Sequence, residues 1–124
     1  MNRNTLQKTA ILRALQKASG PVTPKELRDL TQTELKGIGL ATIYRNLHRL
    51  QEQGKVTPVH LPNDSTRYEP SGRDHHHHFR CESCDMVFEL LSSCPPPEET
   101  TVPNGFAVHG HELVLYGLCI DCQG

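Results

Sequence analysis

Two cysteine pairs constrain this chain more than any other feature. Cys81-x-x-Cys84 and Cys119-x-x-Cys122 stand 34 residues apart. A two-residue gap lets both thiolates of a pair reach one ion, and two such pairs complete a tetrahedral shell of four sulfurs. A chain closed in this way brings its last residues back to the neighbourhood of residue 81, with a strand-rich segment between. Two disulfides or an iron site of rubredoxin type would use the same residues. Disulfides belong to oxidising compartments, and the N-terminus carries no signal-peptide core. A structural zinc ion is therefore expected. It answers a physical need, because only 35% of the 124 residues are hydrophobic and none is Trp. A lobe of about 50 residues cannot bury enough apolar surface to stand alone.

The formal net charge of −1 speaks against a nucleic-acid partner only until it is divided along the chain. Residues 1–72 hold eleven Lys and Arg against six acids, a balance of +5. Residues 73–124 hold two Arg against eight acids, a balance of −6, with all five Cys and six of the eight His. Two modules with different partners are expected, residues 1–70 and 75–124, joined by a hinge over 70–74 of linker chemistry, Pro-Ser-Gly-Arg-Asp.

The basic module reads as three helices and a hairpin. Asn4 can cap a first helix with Leu6, Ala10, Ile11, Ala14 and Leu15 at helical spacing, ending near Gly20. Thr23-Pro24-Lys25-Glu26 is a capping box that opens a second helix, with Leu27, Leu30 and Leu35 as its apolar stripe and Gly37 at its end. A third helix follows Gly39, with Leu40, Ile43, Leu47 and Leu50 inward and Gly54 just past its end. Extended runs 55–61 and 66–69 flank the turn Pro62-Asn63-Asp64-Ser65. This order suits a winged helix-turn-helix, whose third helix enters the DNA major groove. Ala41, Thr42, Tyr44, Arg45, His48 and Arg49 lie on its outer face, with Tyr44 and Arg45 as expected base readers. Lys8, Arg13, Lys55 and Arg67 are expected at phosphates. An ordinary helical lobe with a solvated charged face has the same pattern.

In the acidic module, His75-His76-His77-His78 precede the first cysteine pair. On a strand, His76 and His78 share one face while His75 and His77 share the other, so two separate sites can form. A solvated His cluster is the plainer alternative. Residues 86–90 read as a strand with one carboxylate, Glu89, and 106–109 and 111–116 as the final strands. Four Pro between Cys94 and Pro103 argue against a long helix there. Cys94 has no obvious pair and reads as a core or loop thiol.

Gly39-Leu-Ala-Thr-Ile-Tyr-Arg45, Arg67-Tyr-Glu69, the His run ending three residues before Cys81, the two cysteine pairs, and His111 eight residues before Cys119 occur in one order. In these pieces the chain resembles the ferric uptake regulator (Fur) family of metal-dependent repressors, over about residues 3–122. The resemblance implies an α+β protein with an N-terminal winged helix-turn-helix domain. A small strand-rich α/β-type dimerisation domain follows, stapled by the four-cysteine zinc site. It further implies a homodimer on a palindromic, usually A/T-rich DNA operator, and cytoplasmic residence.

Carried over by position, the family's regulatory site falls on Glu69, His76, His78 and Glu89, and a second site on His77 and His111, with His75 as a further ligand. The family's remaining carboxylate falls near Pro96, with Glu98 or Glu99 nearby. Three departures stand out. Pro21 occupies a position where many members place a ligating His, a Pro-rich segment replaces the usual dimerisation helix, and no basic extension precedes the first helix. Two His and two carboxylates suit iron(II), zinc(II) or manganese(II), and affinity order favours zinc. Peroxide sensors of the family usually carry Asp where this chain has Glu89, and zinc sensors add a Cys before the His run. Iron-uptake control is therefore the first expectation, with zinc-uptake or peroxide-stress regulation as alternatives.

Other classes fit less well. An enzyme needs an open metal position and an oriented acid–base, which two closed cysteine pairs do not offer. A metal storage or delivery protein would use the His run but leave Tyr44 and Arg45 idle. No apolar run approaches the roughly 18 residues of a membrane span, so no membrane partner is expected.

Overall fold

The computed structural model describes residues 2–72, 76–90, 102–111 and 113–123. His75, Cys94, Glu98, Glu99, the Pro-rich segment 94–101 and residues 73 and 74 of the expected hinge therefore lie outside the described residues. Helix α1 spans Arg3–Lys17, α2 Pro24–Thr31 and α3 Leu40–Glu52; strands β1 to β5 are Val56–Val59, Arg67–Pro70, His78–Cys81, Val87–Glu89 and Val114–Gly117.

Capping sets the helix starts. Asn2, not Asn4, caps α1, its side chain accepting the Thr5 N–H at 2.8 Å. The sequence offers two Asn, and the earlier one already satisfies one of the free amide donors of the first turn, leaving Asn4 inside the helix. At α2 the capping box forms both ways: the Glu26 N–H donates to Thr23 Oγ1 (3.2 Å) and the Thr23 N–H to Glu26 Oε1 (3.1 Å). Helix α2 stops at Thr31, six residues before the Gly37 expected at its end; Gly37 instead turns the α2–α3 connection at φ +82°, while Gly54 at φ +73° follows α3 without the steric penalty of a Cβ.

The core of the first module joins Ile11, Leu15, Val22, Leu27, Ile38, Ile43, Leu47, Leu50 and Val56. Two residues expected on inward stripes, Leu6 and Leu30, are instead 46% and 41% exposed. Leu6 lies in the first turn of α1, ahead of the buried positions Ala10, Ile11 and Leu15. β1 and β2 pair antiparallel as the wing, with Thr57 opposite Glu69, and the wing is tied to the α1–α2 connection by a Val22–Tyr68 bridge.

The second sheet has the order β4-β3-β5, β3 running antiparallel to β4 and parallel to β5. Residues 106–109, expected as a strand, form none. Gly105 at φ +86° and a turn bond from the Phe106 N–H to the Pro103 carbonyl bend the backbone just before them. Phe106 and Val108 are 68% and 58% exposed.

Candidate metal centres

The four cysteines gather at one end of the second sheet. The chain turns back after β3, the Asp85 N–H donating to the Cys81 carbonyl (3.0 Å) and the Cys81 N–H to that of Met86 (2.9 Å). Asp85 takes a left-handed φ of +61° to close this turn. β5 then brings Cys119 and Cys122 alongside. One sulfur from each of the four lies within 4.8 Å of the others, and Cys84 and Cys119 Sγ are 3.9 Å apart. That spacing excludes a disulfide between them. It matches the edge of a tetrahedron with zinc–sulfur bonds of about 2.3 Å, which is about 3.8 Å.

Backbone amides prepare the cluster for a cation. The Cys119 N–H donates to Cys81 Sγ at 3.4 Å. This bond, helped by the amides of Cys84 and Ser83 and opposed by burial, pulls the Cys81 thiol down to about 6. Cys122 is pushed up to about 12, chiefly by its hydrogen bond to the Cys119 side chain. These shifts favour a thiolate at Cys81 and a protonated thiol at Cys122.

A second cluster lies where the wing meets the other sheet. Buried Glu69 from β2 has Oε2 3.1 Å from His76 Nε2, and His76 Nε2 is 3.7 Å from Glu89 Oε1 on β4. His78 completes a group of three with Glu69 and His76, one ligand atom of each within 4.8 Å of the others. The face parity read from the His run holds, since His76 and His78 turn to Glu69. His77 turns the other way, its Nε2 3.1 Å from His111 Nε2 with the two rings stacked. Imidazole nitrogens and carboxylate oxygens at these spacings are a donor set for a divalent cation.

On the first module, Ala41, Tyr44, Arg45, His48 and Arg49 face solvent along α3, as does Lys55 at its foot. Thr42 is half-buried and takes the Arg45 guanidinium on its Oγ1 at 3.1 Å. Arg13 is engaged by Glu34. Arg67 does not belong on this face. Its side chain is 2% exposed and is held by Asp64 (Nε to Oδ2, 2.5 Å), Glu26 (2.8 Å) and the Asp85 carbonyl (2.6 Å). A guanidinium so enclosed cannot reach a phosphate, so the expected phosphate contact is withdrawn. Strand parity carries the missed signal: Arg67 and Glu69 are two residues apart and share the buried face of β2.

Among the described residues, two ligand clusters and a His77–His111 pair lie beside a winged helix, the arrangement of a metal-responsive DNA-binding transcriptional regulator. The model of the ferric uptake regulator family matches residues 2–116. The ferric uptake regulation protein of Campylobacter upsaliensis is 32% identical over 123 residues, covering 96% of this chain and 79% of its own. The crystal structure of the Vibrio cholerae ferric uptake regulator aligns at a TM-score of 0.68 and 30% identity, over 92% of this chain and 89% of its own. A zinc-bound manganese uptake regulator shares the fold at a TM-score of 0.75 and 24% identity, over 97% and 90%. This chain belongs to the ferric uptake regulator family. Among the described residues no helix is long and apolar enough to cross a membrane.

Proposed function

We propose that this chain represses metal-uptake genes, with iron as the sensed metal, by binding a palindromic operator as a metal-loaded homodimer. The observation that carries this reading is the reach of Glu69, on the wing strand, to His76, 3.1 Å away in the segment entering the second sheet. A ligand set drawn from both modules makes their mutual orientation depend on occupancy. Glu69, His76, His78 and Glu89 would hold the regulatory divalent cation. Cys81, Cys84, Cys119 and Cys122 would hold structural zinc, and His77 with His111 a second site. When bound, the regulatory cation supplies the positive centre that one carboxylate of the wing shares with the imidazoles beyond the hinge. Residues 1–70 would then present Ala41, Thr42, Tyr44, Arg45 and Arg49 to the bases, with Lys55 at a phosphate. Residues 75–124 would dimerise, which suits the exposure of Leu115, Tyr116, Leu118 and Ile120.

The likeness to ferric uptake regulation proteins favours iron(II). The donor set alone accommodates manganese(II) or zinc(II) equally, and a zinc-uptake role is the second reading because affinity order favours zinc at imidazole and carboxylate. The test is operator binding titrated anaerobically with iron(II), manganese(II) and zinc(II), beside the metal content of protein purified without chelator. Iron control predicts repressor–operator complex at the lowest free iron(II). Equal or stronger response to zinc at cellular free-ion levels would transfer the role to zinc.

A further inference from the structure

The buried face of β2 carries two ionic side chains, two residues apart, and each ends at a different cysteine or histidine cluster. Glu69 meets His76 and His78. Arg67 crosses to the turn that follows Cys84, its Nη2 donating to the Asp85 carbonyl at 2.6 Å. We propose that Arg67 and Arg80 are positioning residues that anchor the DNA-reading wing to the Cys81–Cys84 turn, so that the four-cysteine cluster orients the wing as well as closing the second sheet.

The contacts run both ways across the junction. Arg67 belongs to the wing and reaches the cysteine turn. Arg80 belongs to β3, one residue before Cys81, and reaches the wing: its Nη1 lies 3.2 and 3.4 Å from the Asn63 and Pro62 carbonyls. Arg80 Nη2 lies 3.4 Å from Asp85 Oδ1 and 3.8 Å from Asp64 Oδ1. Asp64, only 6% exposed, thus sits between both guanidiniums. Arg67 also donates to Glu26, the N3 member of the α2 capping box, and to the Pro21 carbonyl at 3.3 Å. One buried group therefore ties the wing turn, the start of α2 and the cysteine turn together. With the Asp85 carboxylate left exposed, two Arg against Asp64 and Glu26 balance the enclosed part of the network in charge, the condition under which burying it is tolerable. The planar, five-donor guanidinium suits a three-way junction, and an ammonium does not.

This inference rests on the DNA-regulator reading only for its consequence on operator affinity. The anchoring itself is measurable without DNA. The test follows amide hydrogen exchange in the full metal-loaded protein, comparing wild type with Arg80→Met and Arg67→Lys. The expected result is exchange about tenfold faster in segments 60–66 and 82–87, unchanged exchange in α1 and unchanged metal stoichiometry. Operator affinity is expected to weaken about tenfold, with the same salt slope because no phosphate contact is lost. A general loss of packing would instead speed exchange in α1 as well. If Arg67→Lys fails to fold, Arg80→Met, which leaves the Arg67 contacts in place, decides alone. Exchange within twofold of wild type in both segments, or acceleration spread evenly over α1 to α3, overturns the anchor. Absence of operator preference in the wild type would instead overturn the regulator reading, whatever the exchange shows.

Discussion

Cys81 is fully buried, yet the backbone keeps it charged: the Cys119 amide at 3.4 Å does more to pull its thiol down than burial does to raise it. Cys122, pushed up to about 12, keeps its proton near neutrality. Filling the cluster must therefore displace a proton from Cys122, and as the pH falls toward 6 a second one competes at Cys81. Metal affinity should weaken on acidification by at least about tenfold per pH unit between 8 and 6.5, since each displaced proton contributes one decade. Competition against a chelator measures this, and a pH-independent affinity would refute the protonation pattern. Cys81→Ser has a larger consequence. Structural zinc binding is worth on the order of 10–16 kcal/mol of folding free energy in small zinc domains, far more than a sheet of three short strands can replace. The variant should lose one zinc equivalent and unfold the second sheet while α1 to α3 persist, as read by metal analysis and exchange. A stable, zinc-replete Cys81→Ser protein would sink the structural-zinc assignment.

At the scale of elements, helix α3 and the α1–α2 connection carry separate demands. Ile43, Leu47 and Leu50 bury one side of α3 and leave Tyr44, Arg45 and Arg49 outside. Arg45→Ala should cost about 1–3 kcal/mol of operator binding and relax sequence preference, whereas Lys55→Ala should weaken all sequences alike and reduce the salt slope by about 1. Binding isotherms on matched and scrambled operators separate the two. The α1–α2 connection docks on β4: the Glu89 N–H donates to the Ser19 carbonyl at 3.2 Å, and a Cβ on Gly20 would sit 2.3 Å from the Val87 carbonyl oxygen. Backbone cannot yield as a flexible side chain can, so Gly20→Ala should destabilise the fold by about 1–3 kcal/mol, visible in a denaturant midpoint. Much of this was legible in the sequence. The capping box placed the start of α2, Gly54 marked the end of α3, and alternation along the His run separated His76 and His78 from His77, whereas α2 stops at Thr31 well before the Gly37 expected to end it. Residues 106–109 misled because β-branched and aromatic composition says nothing about whether a partner strand arrives. Arg67 misled because a basic residue on a wing is usually solvated, and only three-dimensional packing brings Asp64, Glu26 and the Asp85 carbonyl around it.

For the molecule as a whole, the proposed regulation turns on how far a cation would shift the orientation of the two modules. Arg67, Arg80 and the Ser19–Glu89 bond hold them together through contacts that need no cation at the His–Glu cluster. Glu69 with His76 and His78 would add the part that does. Moving a two-state equilibrium from 1:99 to 99:1 takes about 5.5 kcal/mol of differential affinity, within reach of a site whose ligands come together only in the closed arrangement. His76→Ala and Glu89→Ala remove that differential but touch neither the cysteine cluster nor β5. Both variants should fold, dimerise and keep the zinc of the four-cysteine site. They should bind an A/T-rich inverted repeat no better with divalent ion than without it. Wild type should gain at least about a hundredfold from the ion and lose affinity steeply with salt, as counterion release demands. Mobility shifts with and without metal, alongside sedimentation for the dimer, give both readings on one preparation. Retained metal response in His76→Ala would move the sensing function away from the Glu69 cluster, leaving His77 and His111 as the next place to look.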